Sequence, residues 1–370
     1  MTDDTLRMLR DSAADFATLD AARVRRLRGA DPGFERSRWR EMGDMGWLGV
    51  LIPEEHGGLG LDLAAAVIIA EQLGRALYPE PYSASAVMAT LALLHGDNGA
   101  LKQRLLPQLA AGTIIAGLAW QDERGGLDPD QCAVWSRASG GKQVLEGSSR
   151  FVSPAGADGY IVAARAAPGL ELHWIERSAA GLACASEPRA DGSASALLRF
   201  DAVEVRAETR VASPQTAPAA LQLALDHATL STSAELLGLM DCALEMTLDY
   251  LRTRVQFGKP LGSFQALQHR AVDMYMQKEL SRATLEASVA AALETGCTRE
   301  RRTAAASSAK ARAAQAALAI CKEALQMHGA IGYTDEYDLG LYFNRALVLS
   351  AALGNASAHR SRYASLTPLP

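Results

Sequence analysis

A mostly helical chain interrupted by one central β domain is predicted by three observations. Helical periodicity runs through residues 1–112, short apolar segments cut by Gly, Ser, Pro and Asp clusters fill residues 113–213, and helical periodicity returns over 214–370. The expected architecture is an N-terminal helical domain, a small antiparallel β barrel or sandwich, and a C-terminal four-helix bundle, divided at those boundaries.

In the first third, Leu6, Leu9, Ala13 and Phe16 recur on one helical face, and Pro32-Gly33, Pro53 and Pro79-Glu80-Pro81 set the breaks. An Ala-rich stretch from Ala64 to Leu77 predicts another helix, preceded by the Gly-rich turn Pro53-Glu54-Glu55-His56-Gly57-Gly58. In the middle third, Ile114 to Trp120, Phe151-Val152, Tyr160 to Ala163 and Ala196 to Phe200 read as strands. No helical pattern separates them, so a barrel or sandwich is expected rather than a βαβ nucleotide fold, and no Rossmann fingerprint is present. In the last third, Leu221 to Thr253 lacks proline and keeps apolar residues three and four apart, while Arg301 to His328 is Ala-rich. Ala313, Ala314, Ala316 and Ala317 fit either a subunit interface or plain helix propensity. The tail from Leu366 to Pro370 is expected to be disordered.

At 370 residues and 49% hydrophobic, the chain can bury more than one core. A charged fraction of 21% and a net charge of -5 argue against nucleic acid as a partner. Asp3 and Asp4 stand where a signal peptide needs positive charge, and no stretch supplies the roughly 20 apolar residues of a membrane span. A cytoplasmic protein is expected. Cys132, Cys184, Cys242, Cys297 and Cys321 are scattered and form no CxxC pair, so neither a disulfide framework nor a metal site is predicted.

The chemistry-bearing residues concentrate late in the chain. Arg254-Val255-Gln256-Phe257-Gly258-Lys259-Pro260-Leu261 is followed by Phe264-Gln265-Ala266-Leu267-Gln268, and later by Gln326-Met327-His328-Gly329-Ala330-Ile331-Gly332-Tyr333-Thr334. A pyrophosphate needs a bidentate donor and unobstructed backbone N–H groups, which Arg254 and the adjoining Gly258 supply. Together these runs resemble the FAD-binding signatures of the acyl-CoA dehydrogenase family. The resemblance implies FAD as cofactor, with Arg254, Gln256, Phe257, Gly258, Phe264 and Gln265 on one subunit. Gln326, Gly329 and Gly332 would approach the adenosine half from a neighbouring subunit, so an oligomer, homomeric or heteromeric, is implied.

In the β domain, Arg150-Phe151-Val152-Ser153 is similar to the family's Trp-Ile-Thr, in which the aromatic covers the flavin ring and the hydroxyl bonds N5. The family's Thr-Glu-Pro and Gly-Ser-Asp would fall on Ala119 to Gly126, where Trp120 and Gly126 replace hydroxyl residues. A missing hydroxyl removes one hydrogen bond, about 1 kcal/mol net.

In such a dehydrogenase a glutamate takes the α-proton of an acyl-CoA thioester while hydride leaves the β-carbon. Counting on from Gly332 to the family's Glu-Gly-Thr lands on Leu353-Gly354-Asn355, so Leu353 stands in the base's frame and Asn355 in that of a cofactor-contacting threonine. The alternative location, on an earlier helix, falls on Ala228. Among nearby groups, Asp226 is turned about 200° from Ala228 and His227 about 100°, while Glu235 shares nearly the same face roughly 10 Å along. Three readings follow. The chain is a subunit for α,β-desaturation of acyl-CoA thioesters whose base comes from a related chain, with an electron-transfer flavoprotein as acceptor. Alternatively it is a self-sufficient flavin oxidoreductase with a displaced base at Glu235, Asp226 or His227, or a non-catalytic scaffold that has lost flavin.

Overall fold

The computed structural model describes residues 3–167 and 169–367. Helices come first: α1 (Asp3–Phe16), α2 (Ala21–Leu27), α3 (Arg36–Asp44), α4 (Leu63–Arg75), a π-helical stretch over Tyr82–Ala89 continuing into α5 (Thr90–Leu94), and α6 (Gly99–Ala110). Eight strands follow: β1 (Ala116–Ala119), β2 (Val134–Ser139), β3 (Lys142–Val152), β4 (Gly159–Ala166), β5 (Gly169–Glu176), β6 (Leu182–Pro188), β7 (Ala194–Val205) and β8 (Arg210–Ala212). The long helix α7 (Ala217–Thr253) leads through a small hairpin, β9 (Val255–Gln256) and β10 (Lys259–Pro260), into α8 (Gln265–Leu293), α9 (Arg299–His328), α10 (Leu339–Ala351) and α11 (Ala356–Leu366). Side-chain caps fix three of these starts: Asn98 accepts from the Leu101 N–H, Thr298 from Arg301 and Asn355 from Ala358.

The chain packs as two compact units. One comprises Leu27–Ala66 and Pro79–Ala228. Its strands form one sheet in the order β6-β7-β3-β2-β4-β5-β8, with β1 also paired to β4. Period-two alternation turns Val134, Leu145, Tyr160, Val162, Ile175 and Phe200 into one apolar cluster. The expected all-antiparallel domain is corrected here: β4 runs parallel to both β1 and β2, and only the remaining pairs are antiparallel. The reason is connectivity. More than a dozen residues separate β4 from β1 and from β2, enough for a parallel return, and alternation in sequence reports a strand's existence but not its direction.

The other unit takes the N-terminal stretch up to Arg26, Val67–Tyr78 and the described residues from Thr229 onward. Helix α4 crosses α7 at a pair of glycines. A side chain at Gly74 would come within 2.2 Å of the Glu235 carbonyl oxygen, and one at Gly238 within 2.0 Å of that of Glu71. Helix α9 runs against α8, α10 and α11, and Ala313, Ala314, Ala316 and Ala317 are 2% exposed or less. These alanines serve close approach inside the chain's own bundle, not a subunit surface. Leu366 closes α11, which corrects the expectation of a disordered tail starting there, while residues 368–370 lie outside the described ones. All five cysteines are free thiols, and no described helix is long and apolar enough to cross a membrane.

Candidate functional site

The connection between α7 and α8 is built by turn chemistry. The Arg254 N–H still donates to the Tyr250 carbonyl at 2.8 Å, and then Gln256 pairs with Lys259 across a two-residue turn. Both turn residues have positive φ, Phe257 at 53° and Gly258 at 78°, the backbone that a two-residue hairpin requires. Gly258 adopts this freely, whereas Phe257 is strained by about 1–2 kcal/mol. The ring of Phe257 is 89% exposed and meets Phe264 edge-on at 6.1 Å, and the Lys259 ammonium lies 4.3 Å from the Phe264 ring centre. The Leu261 N–H donates to the Arg254 carbonyl, Phe264 precedes the first turn of α8, and Gln265 opens that helix exposed to solvent.

Helix α9 ends at Gly329, whose φ of 67° and ψ of -142° suit glycine alone. Gln326 is exposed on the last turn, Gly332 is buried beneath the 3-10 turn that follows, and Tyr333 is 72% exposed. The two signature segments are held together by His328. Its ring stacks on Tyr250 at 4.4 Å, its Nδ1 lies 2.8 Å from the Ala324 carbonyl, and its Nε2 lies 3.1 Å from the Tyr337 hydroxyl. The carbonyl can only accept, so Nδ1 carries the proton and Nε2 accepts from Tyr337. Burial lowers the His328 pKa and keeps this neutral form. Tyr250 stands one helical turn before Arg254, and His328 directly precedes Gly329. Sequence reading overlooked both, although His328 sits inside the quoted motif.

Arg254, Gln265 and Gln326 are exposed, and among the described residues none of their side chains has a protein partner. The Gln256 amide instead donates to its neighbour's carbonyl, that of Val255, at 2.8 Å.

In the β domain, Phe151 stands one residue before the end of β3 at a φ of 59°, is 44% exposed and lies over Gly125. The Arg150 guanidinium is 5.2 Å from the Phe151 ring centre and pairs with Glu187. Gln121 ties the two stretches together: its carbonyl accepts from the Arg150 N–H and the Ser149 hydroxyl, and its amide donates to the Gly126 carbonyl. The end of β3 at Ser149 and Arg150 and the segment from Gln121 to Gly126 are therefore neighbours. Trp120 is buried at 4% exposure.

The positions that correspond to a base are different in kind. Ala228 is buried within α7. Leu353 sits between α10 and α11 at a φ of 56°, partly exposed. Lys310, with no exposed surface, donates from Nζ to the Ser350 carbonyl at 3.1 Å and to the Gly354 carbonyl at 2.9 Å, while His359 Nε2 donates to the Leu353 carbonyl at 2.9 Å. Burial pushes Lys310 down to about 7. Burial, reinforced by the charges of Lys310 and Arg362, pushes His359 down to about 3. The exposed Asn355 spends its side-chain oxygen on the Ala358 N–H as the cap of α11. Glu235 is bound by Arg345, whose Nε lies 3.0 Å from its Oε1, in a pair with side chains 15% and 10% exposed. Asp226 is fully buried and accepts from the Gln222 amide at 2.8 Å. His227 is partly buried one position on.

Residues 218–365 match the family described as acyl-CoA dehydrogenase, C-terminal domain, and residues 3–113 match acyl-CoA dehydrogenase, N-terminal domain. The chain is similar to the acyl-CoA dehydrogenase IpdE2 of Mycobacterium tuberculosis, 31% identical over 92% of this chain and 90% of that one. It is similar in structure to a variant of the Tcur3481-Tcur3483 steroid ACAD, with a TM-score of 0.87 at 31% identity over 98% of this chain and 97% of that one. It also resembles the ChsE4-ChsE5 complex of Mycobacterium tuberculosis, with a TM-score of 0.89 at 26% identity over 100% and 99% of the two chains.

Proposed function

The chain belongs to the acyl-CoA dehydrogenase family, and we propose that it is an FAD-holding subunit for α,β-desaturation of acyl-CoA thioesters whose catalytic base comes from a related chain. What carries this reading is the contrast within one unit between an exposed set of unpartnered donors at Arg254, Gln265 and Gln326, and a leucine, Leu353, in the frame of the base. Arg254 offers a planar, permanently charged fork to a phosphate, and Gln265 adds an amide donor beside it. Gln326 and the backbone at Gly329 would hold the adenosine half of a cofactor carried mainly by a neighbouring subunit. When bound, FAD supplies a hydride acceptor for the β-carbon, and the electrons leave to an electron-transfer flavoprotein.

Removing the α-proton needs a group free to accept it. Leu353 and Ala228 carry none. Glu235 is engaged by Arg345, and Asp226 is buried with Gln222, so neither is a free proton acceptor. A related chain supplying a glutamate is supported by the names of two similar structures, Tcur3481-Tcur3483 and ChsE4-ChsE5, which are pairs. The word steroid in one of them favours a bulky, ring-bearing acyl group as substrate.

The test is reconstitution. This chain, co-purified with a related chain that carries the glutamate, is expected to reduce its flavin on addition of a ring-bearing acyl-CoA. Changing that partner glutamate to glutamine should abolish reduction without loss of flavin. Reduction that survives this change would refute a partner-supplied base.

A further inference from the structure

The sheet of the first unit has one weak joint. Strand β2 meets β4 at a single pair, Trp135 with Arg165, after which β4 ends within one residue while β2 runs on to Ser139 beside β3. Beside this joint lies a cavity of about 770 Å³, whose wall includes Trp135, Arg137, Glu171, His173 and Arg210. Such a volume suits a small organic molecule rather than a lone ion. Its polar groups are unevenly spent. Glu171, 7% exposed, has Oε2 at 3.0 Å from His173 Nε2 and Oε1 at 3.5 Å from the Arg210 guanidinium. The hydrogen bond from His173 lowers the Glu171 pKa, so the carboxylate stays ionised and only accepts, and Nε2 carries the proton. The other ring nitrogen, Nδ1, is buried and has no partner among the described residues. In the neutral ring it is an acceptor without a donor, which the fold alone gives no reason to keep.

Two guanidiniums are unspent as well. Among the described residues the Arg137 and Arg210 side chains make no hydrogen bond, and their nearest carboxylates are only ion-pair neighbours, Glu146 at 3.8 Å and Glu171 at 3.5 Å. The Arg137 fork is held in place over the Trp135 ring at 5.3 Å, and Arg165 lies 4.8 Å from the same ring centre. Arg206, also on the wall, is answered by Glu204 at 2.8 Å. Three guanidiniums against the one carboxylate of Glu171 leave the wall positive.

We propose that this cavity binds a phosphate monoester with a hydroxyl-bearing organic body, of the class of a nucleoside monophosphate, with its phosphate on Arg137 and Arg210 and a hydroxyl on His173 Nδ1. Two unspent forks match the several oxygens of a phosphate, whereas a carboxylate has two and would satisfy one fork. The acceptor at His173 asks for a hydroxyl, and Ala138, Ala166 and Val205 give the ligand's body an apolar floor. The site rests on residues 135–210 alone and stands whether or not the functional reading above holds.

The test is calorimetric titration of uridine monophosphate, uridine and inorganic phosphate into the full chain, with and without saturating FAD. Uridine monophosphate should bind about tenfold or more tighter than either fragment, since it alone meets both the forks and the histidine. Its affinity should be the same in the presence of FAD. Arg137→Gln and Arg210→Gln, at side chains 58% and 42% exposed, should each weaken it about tenfold and leave uridine unaffected. His173→Leu should weaken uridine and its monophosphate by the same factor, about fivefold, because it removes the hydroxyl's acceptor and no anion contact. Uridine monophosphate that shows no binding at millimolar concentration, that binds both arginine variants as tightly as the native chain, or that FAD displaces would overturn the site. Inorganic phosphate binding as tightly as the nucleotide would overturn the ligand class. The arginine variants keep the experiment decisive should His173→Leu fail to fold.

Discussion

The hairpin between α7 and α8 and the turn between α10 and α11 each hold a bulky residue at positive φ, Phe257 at 53° and Leu353 at 56°, yet they handle polar groups in opposite ways. Around Phe257 the guanidinium of Arg254 and the amide of Gln265 face solvent without protein partners. Around Leu353 the carbonyls of Ser350, Leu353 and Gly354 are taken by buried donors, Lys310 or His359. A surface that awaits a ligand leaves its donors unspent. A position that awaits none spends its neighbours internally. The same test separates Arg254 from Glu235, since Glu235 is answered by Arg345.

The comparison can be broken most sharply at that ion pair. Glu235→Ala strands Arg345 in a largely buried site and should cost about 3 kcal/mol or more, read as a fall in chemical-denaturation midpoint. Flavin content per folded chain should stay unchanged. A variant of unchanged stability whose complex with the related chain loses flavin reduction would make Glu235 a displaced base and undo the contrast.

Acid tests the internally spent turn next. His359 has a pKa depressed to about 3 in the folded chain, against about 6.5 when unfolded. Between those values the unfolded chain binds the extra proton, so stability is fully present above pH 6.5 and falls as pH drops toward 3. The loss from this group is about 1.4 kcal/mol per pH unit. His359→Gln should flatten that part of the stability profile. An unchanged slope would show that His359 is not the titrating group.

At the hairpin, Arg254→Gln should weaken FAD binding about tenfold or more, roughly 1.4 kcal/mol. Stability without flavin should change by less than about 0.5 kcal/mol, because no protein group loses a partner. Flavin fluorescence during ultrafiltration measures the first and thermal denaturation the second. The smallest expected effect is at Phe257→Ser, about 0.5 kcal/mol or less on the stability of the isolated chain, since 89% of the side chain is already exposed. Its mark should be a shift toward smaller assemblies in sedimentation velocity. A large loss of stability would mean that the hairpin is part of the fold's own core.

What could be read from the sequence follows the same division. The helix end at Gly329 was legible because helix ends select glycine, whereas the hairpin at Phe257-Gly258 emerged only from the structure. The three-part succession of helices, strands and helices was legible from periodicity. Strand direction was not, since β4 pairs in parallel with β1 and β2 through connections whose path no local pattern encodes. The Ala-rich face of α9 was ambiguous because helix propensity and helix packing select the same residue, and only burial decided it. Lys310, His359, Arg345 and the Tyr250–His328 stack were invisible for another reason. Each acts on a partner far away in sequence, and a lysine in an Ala-rich helix reads as a solvated charge until the fold puts it inside.

The most direct measurement is an anaerobic visible spectrum of the chain purified alone, before and after addition of acyl-CoA thioesters of different shapes. A flavin that holds its oxidised band through every addition is the expected result, because Arg254 and its neighbours retain the cofactor while Leu353 and Ala228 can accept no proton. Bleaching by any of the thioesters would contradict the account, for it would require a base within this chain.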